Sequence, residues 1–198
     1  MMERILEAAE LCIREDGYES LRMADVARRA EASVGTVYSR FPDKLALLRT
    51  IQDRLHQRIE PAFLEEMERE RERGGTLEEA AERIFGRLAR HFLDERELFS
   101  TFFTRAVFDP ILREGGQKAN LARRLAIAEA LLAHRDEIGH PDPKLAIDMA
   151  YTTCLALIRG RLLWGSAAQI SGPFSDEVLV NETVAVVTAY LKQRRAPE

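Results

Sequence analysis

Cysteine is nearly missing from this chain: there are two in 198 residues, Cys12 and Cys154, far apart and each inside an apolar helical pattern. That excludes a disulfide framework and a thiolate metal site, and leaves both as small buried hydrophobes in a reducing cytoplasm. The four histidines, His56, His91, His134 and His140, are scattered. There is no His-Glu-x-x-His zinc helix, no paired Glu-x-x-His, no glycine-rich phosphate loop and no nucleophile elbow, so neither catalysis nor a resident metal or cofactor is expected. Asp53 and His56 come nearest to a ligand pair, and they stand alone on a charged helix face. No stretch alternates usefully with period two, which argues against a sheet. No signal-like or membrane-spanning run precedes the charged amphipathic segment at the start, so a cytoplasmic protein with no membrane partner is expected. Nor is there a global excess of positive charge: 29 basic and 33 acidic residues give a net charge of −4.

What the chain has is helical periodicity. With 46% hydrophobic and 31% charged residues it can bury a full core in one or two domains. The pattern predicts an all-α protein of about nine helices. A first helix over about Glu3 to Glu15 turns Ile5, Ala8, Ala9, Cys12 and Ile13 inward and stops at Gly17, where a left-handed conformation is cheap. Met23, Val26, Ala27 and Ala30 then fall at i, i+3, i+4 and i+7, and Val34, Val37, Tyr38 and Phe41 repeat the spacing in a helix over Val34 to Phe41. The three residues between, Glu31, Ala32 and Ser33, are enough only for a turn, and Ser33 can cap the second of these helices. Gly35, Thr36, Ser39 and Arg40 are left facing outward, small or polar groups that enter a major groove without steric conflict. From Arg22 to Arg49 six basic residues (Arg22, Arg28, Arg29, Arg40, Lys44, Arg49) stand against three acids (Asp25, Glu31, Asp43), a local balance of +3 where phosphate contact would occur.

These segments resemble the tetracycline-repressor (TetR) family of bacterial transcription regulators. The likeness runs through Ile5-Leu6-Glu7-Ala8-Ala9, Asp16-Gly17-Tyr18-Glu19, Met23-Ala24-Asp25-Val26-Ala27, Ser33-Val34-Gly35-Thr36-Val37-Tyr38 and Phe41-Pro42-Asp43-Lys44-Leu45, five pieces in order over about the first quarter of the chain. It implies a helix-turn-helix DNA-binding domain over residues 1–47 and a larger helical domain over 48–198 that dimerises and binds an effector. The DNA contacts it implies are Arg22, Ser33, Val34, Gly35, Thr36, Tyr38, Ser39, Arg40 and Lys44, with Val34 against a thymine methyl and Tyr38 and Lys44 on phosphates. Relatives often carry a basic arm before the first helix; none is seen here, and no arm contacts are assigned. Two positions depart from the family pattern. Arg22 stands where a capping Thr is common, so capping of the second helix falls to Ser20. Glu31 stands where Gly is common, and a positive φ there would cost about 1–2 kcal/mol unless the turn shifts.

Beyond Asp43, which can cap a long fourth helix, Gly and Pro mark the breaks. Pro61 is expected to bend or interrupt that helix before a charged run that stops at Gly74-Gly75. Thr76 and Glu79 form a capping box for a fifth helix. A sixth ends near Asp109-Pro110, and three more are expected over about Gln117 to Ile138, Pro143 to Ala168 and Ser175 to Gln193. In the last of these Val180, Val184, Val187 and Leu191 form a stripe with Val186 and Tyr190 beside it. Helices apolar on more than one face are buried on more than one face, either at the centre of one core or against a second subunit. The family resemblance favours the second. An effector pocket is expected among Phe85, Phe92, Phe99, Phe102, Phe103, Phe108, Met149, Tyr151 and Trp164, residues that equally suit a plain core. Its polar anchors would be His91, Arg105, Thr152 and Arg159. Arg159, pointing inward, needs a carboxylate from the protein or the ligand; otherwise it reaches solvent. The expected function is a ligand-responsive repressor that binds a palindromic double-stranded operator as a homodimer and is released by a small apolar or aromatic effector.

Overall fold

The computed structural model describes residues 1–165 and 172–194, which form nine α-helices and one 3-10 turn with no strand among the described residues. The helices are α1 (Met2–Ser20), α2 (Met23–Arg29), α3 (Val34–Tyr38), α4 (Lys44–Arg73), α5 (Leu77–Asp94), α6 (Arg96–Arg105), α7 (Pro110–Leu132), α8 (Pro143–Trp164) and α9 (Asp176–Lys192). None is long and apolar enough to cross a membrane. The chain divides into two compact units, Met1–Ile59 with Glu97–Lys118, and Glu60–Arg96 with the chain from Ala119 onward. The boundary expected after residue 47 lies within the first.

In the first unit α1 breaks at Gly17, whose φ of 76° and ψ of 160° turn the chain toward α2. Ile5, Ala9 and Ile13 of α1, Val26 and Ala27 of α2, Val37 and Phe41 around α3, and Leu47, Leu48 and Ile51 of α4 are all buried. Arginines secure α1 to α4. The buried Glu10 carboxylate accepts from Arg14 at 3.1 Å and from Arg54 of α4, which also reaches Glu3. Taking one partner from such a set leaves a buried charge uncompensated, so each member is costly to lose.

Asp43 caps α4 as its position predicts, accepting from the Ala46 amide at 2.7 Å. The helix continues through Pro61 to Arg73 and stops at Gly74 and Gly75, with φ of 69° and 99°. Proline there removes the N–H that the Gln57 carbonyl would have met. The sixth and seventh helices depart from expectation. α6 ends at Arg105, and α7 begins at Pro110, seven residues before Gln117, so that Gly115-Gly116 lies inside the helix rather than before it. Packing explains the glycine. A Cβ on Gly115 would sit 2.8 Å from Gln52 Oε1, and the same Gln52 donates to the Leu112 carbonyl at 3.1 Å. α7 starts where it does because Pro110 has no N–H to leave unpaired in the first turn and Asp109 caps it, accepting from the Leu112 amide at 2.8 Å.

In the second unit α5, α8 and α9 pack on one another. The predicted capping box opens α5: Thr76 accepts from the Glu79 amide and Glu79 accepts from the Thr76 amide. Phe85, Leu88 and Phe92 of α5, Ile147, Tyr151 and Ile158 of α8, and Val180, Val187 and Leu191 of α9 are buried. Both cysteines are buried too, and burial pushes the Cys154 thiol up to about 12. α8 ends on Gly165 at φ 65°, and the extension expected to Ala168 lies outside the described residues.

The side chain that carries most at the α6–α7 corner is Asp109. Arg49 donates to its carboxylate through Nε at 3.3 Å and through a second nitrogen, and that bond first of all holds the carboxyl below the usual range. Replacing it by Asn should destabilise the protein by about 1–2 kcal/mol, the worth of the charge in its bond with Arg49, because Asn can still accept from the Leu112 amide. Because the folded-state pKa is the lower one, the wild-type advantage is full above about pH 4, the unfolded value, and fades as pH falls through the folded one. Urea unfolding of both proteins across that range checks this; a pH-independent difference would contradict it.

Candidate nucleic-acid interface

The reading element runs from α2 through a turn into α3. α2 ends in a turn held by the Ala32 amide on the Ala27 carbonyl at 2.9 Å, with Glu31 at φ 48°. The strain is therefore kept and the turn is not shifted; Arg4 pairs with the Glu31 carboxylate at 2.6 Å. Ser33 caps α3 as predicted, accepting from the Thr36 amide at 3.0 Å and lying 2.8 Å from the Thr36 hydroxyl. α3 itself covers five residues, shorter than the expected span to Phe41, although the Phe41 amide still bonds the Val37 carbonyl at 2.9 Å.

A helix this short can bury only one line of side chains. Val37 and Phe41 take it, while Val34 is 43% exposed and Tyr38 51% exposed. The sequence pattern had all four inward; only two are. The outward face then consists of Val34, Gly35, Tyr38, Ser39 and Arg40, with Thr36 half-buried at its edge. Ser39 donates to the Thr36 carbonyl at 2.9 Å, and the Arg40 guanidinium rests on the same carbonyl at 3.4 Å. Arg28 and Arg29 are tied to Asp25 and Glu15 respectively.

One expectation fails nearby. Ser20 does not cap α2, whose N-cap is the extended, exposed Arg22 with no side-chain cap bond. Lys44 is not turned wholly to solvent: its ammonium donates to the Tyr18 carbonyl at 3.4 Å and the Glu19 carbonyl at 3.3 Å and lies 4.8 Å from the Tyr18 ring centroid. Three N–H donors belong to that ammonium, so one remains for a further acceptor.

The expected effector residues are divided between the two units. Phe99, Phe102, Phe103, Arg105 and Phe108 belong to the first unit, and Phe85, His91, Phe92, Met149, Thr152, Arg159 and Trp164 to the second. Phe85, Phe92, Phe99 and Phe102 are buried, Phe103 and His91 half-buried. Phe108 is 85% exposed and Trp164 78% exposed, so neither lines an interior. Met149 and Thr152 are exposed as well, and Arg159 takes its solvent-facing alternative. Arg105 pairs with Glu19 and lies 5.0 Å from the Tyr18 ring. A groove of about 650 Å³ runs between α5 and α9, floored by Gly86, Val180 and Val184, and includes none of the expected residues.

The Glu60–Arg123 pair of the second unit was missed. Arg123 is buried, donates twice to Glu60, at 2.8 Å through Nε, and lies 5.3 Å from the Phe92 ring; burial raises the Glu60 pKa. Tyr151, fully buried, donates to Asn120 at 2.8 Å. Helical phase could have found Arg123, since it stands four residues from both Ala119 and Ile127 on the buried stripe of α7.

A short exposed helix seated on a second helix, in a locally basic segment, is the reading element of a helix-turn-helix DNA-binding protein. Residues 5–51 match the family model described as bacterial regulatory proteins, tetR family. The transcriptional repressor KstR of Mycolicibacterium smegmatis is 34% identical over 104 residues, 52% of this chain and 48% of that protein, so the chain spans about half the length of this curated relative. A TetR-family regulator of Mesorhizobium loti shares the fold with a TM-score of 0.75 at 21% identity, over 96% of this chain and 94% of that one. The Thermus thermophilus repressor FadR, solved with lauroyl-CoA, does so at 0.62 and 20% identity over 100% and 98%. Residues 5–51 thus carry the DNA-binding domain of the TetR family, and the chain as a whole shares the fold of TetR-family regulators.

The whole reading element hangs on its cap. Ser33→Ala should lower stability by about 1 kcal/mol, the usual worth of an N-cap, as read by urea unfolding. Unchanged stability would show that the Thr36 amide finds water as good a partner.

Proposed function

We propose that the chain is a ligand-responsive repressor, with residues 1–47 reading a palindromic operator and residues 48–198 supplying dimerisation and effector binding. The observation that carries this is the outward face of α3, where Val34, Thr36, Tyr38, Ser39 and Arg40 stand clear of the core that Val37 and Phe41 fill. Thr36, Ser39 and Arg40 meet base edges, Val34 meets a thymine methyl, and Gly35 lets the backbone approach. Arg22, Ser33, Tyr38 and the remaining donor of Lys44 take phosphates. Repression follows the named activity of KstR and FadR.

A homodimer through α8 and α9 is supported by what those helices leave exposed: Leu145, Met149, Leu157 and Trp164 on α8, Val178 and Val186 on α9. Two reading heads then address half-sites about one DNA turn apart, roughly 34–36 Å. The stripe Val180, Val187 and Leu191 is spent on the protein's own core, so it is the other face that meets the partner. The effector is a small apolar or aromatic compound held in the second unit among Phe85, Phe92 and Tyr151, with the Glu60–Arg123 pair as its polar neighbour. FadR, solved with lauroyl-CoA, is one relative whose ligand has a long apolar part. A 100-fold loss of operator affinity needs only about 2.7 kcal/mol of preference for the DNA-incompetent state.

Titration of a duplex selected from random-sequence DNA tests the DNA assignment. Lys44→Ala should weaken binding to every sequence and lower the salt slope by about one unit, while Arg40→Ala should change which bases are preferred. Wild-type affinity and preference in both variants would refute it.

A further inference from the structure

The α2–α3 pair is a closed loop of chain. It leaves α1 after Tyr18 and Glu19 and returns to the helical body at Lys44. Those two ends meet. The Lys44 ammonium caps the carbonyls of Tyr18 and Glu19 at 3.4 and 3.3 Å and lies against the Tyr18 ring, so one cluster closes the base on which the reading helix stands. Tyr18 is buried.

A third element enters the same cluster from far along the chain. Arg105, the last residue of α6, lays its guanidinium 5.0 Å from the Tyr18 centroid and pairs with the Glu19 carboxylate. Two further bonds fix the segment that carries it: Asp109 on Arg49, and the Leu112 carbonyl on Gln52, both from α4. Arg105 is thus delivered on a rigid corner, and it holds the two residues that Lys44 also holds. The guanidinium has no partner role of its own in the reading helix, and its charge is committed to Glu19.

We propose that Arg105 is a positioning residue for DNA reading: its contacts with Tyr18 and Glu19 fix the end of α1, and through it the angle at which α2 and α3 meet the groove. This rests on the DNA-binding reading above and adds a residue outside the helix-turn-helix to it. The expected signature is a loss of discrimination. Phosphate contacts tolerate a small tilt of the head, whereas base contacts depend on register.

Arg105→Ala and Arg105→Lys are compared with wild type on the duplex that wild type selects and on an unrelated duplex, at several salt concentrations. Arg105→Ala should bind the selected duplex about tenfold less tightly, the worth of one cation–π contact with one ion pair. Its affinity for the unrelated duplex and its salt slope should stay unchanged, and Arg105→Lys, which keeps a cation for ring and carboxylate, should recover most of the loss. A general unfolding would instead weaken both duplexes. Wild-type discrimination in Arg105→Ala, a slope lower by about one unit, which would make Arg105 a phosphate contact, or no recovery in Arg105→Lys would each overturn the inference. Failure of the wild-type protein to select any duplex would overturn the DNA-binding reading itself, a different result from a selecting wild type with an indifferent Arg105.

Discussion

A helix of five residues does not persist alone, because nucleating the first turn fixes several residues for one hydrogen bond and short isolated helices are marginal in water. The first unit is organised around the contact that offsets this. Val37 and Phe41 are buried, α3 packs on α2 and α2 on α1, and each large side chain removed from water contributes about 1.5–3 kcal/mol. Spending Val37 and Phe41 inward leaves Val34, Gly35, Tyr38, Ser39 and Arg40 exposed on the opposite face. Its brevity is also why the cap from Ser33 and the strained turn at Glu31 matter: with so few internal bonds, the ends decide whether the helix exists.

Carboxylate–arginine pairs with one member buried recur in both units. Glu10 with Arg54 and Asp109 with Arg49 lie in the first, Glu60 with Arg123 and Glu70 with Arg83 in the second. Such pairs contribute little over an apolar replacement, yet breaking one is costly, and they fix one alignment of two helices against its neighbours. In the first unit this specificity falls where it is most useful, since Arg49, Gln52 and Lys44 all belong to the start of α4 and all bond to segments that frame the reading head.

The elements set by local chemistry are legible in the sequence. Ser33, Asp43 and the Thr76–Glu79 box cap helices because each places an oxygen beside an unpaired amide, and Gly17 and Gly74-Gly75 end helices because only glycine takes those angles cheaply. What is not legible depends on partners distant in the chain. Gly115-Gly116 looks like a break until Gln52 is seen filling the space a Cβ would need. Periodicity cannot say that a helix is too short to bury Val34 and Tyr38 along with Val37 and Phe41. Nor does an apolar helix reveal which face meets its own core, so Trp164 and Phe108 read as interior although both face outward.

In the proposed function the outward face of α3 reads a major groove from a two-fold assembly. Methylation interference on the duplex selected by the wild-type protein tests it most directly, because guanine N7 lies in the major groove. Two symmetric clusters of interfering guanines about one helical turn apart, on the same face of the DNA, are expected. A single cluster would contradict the two-fold assembly, and binding indifferent to N7 methylation would contradict major-groove reading by α3.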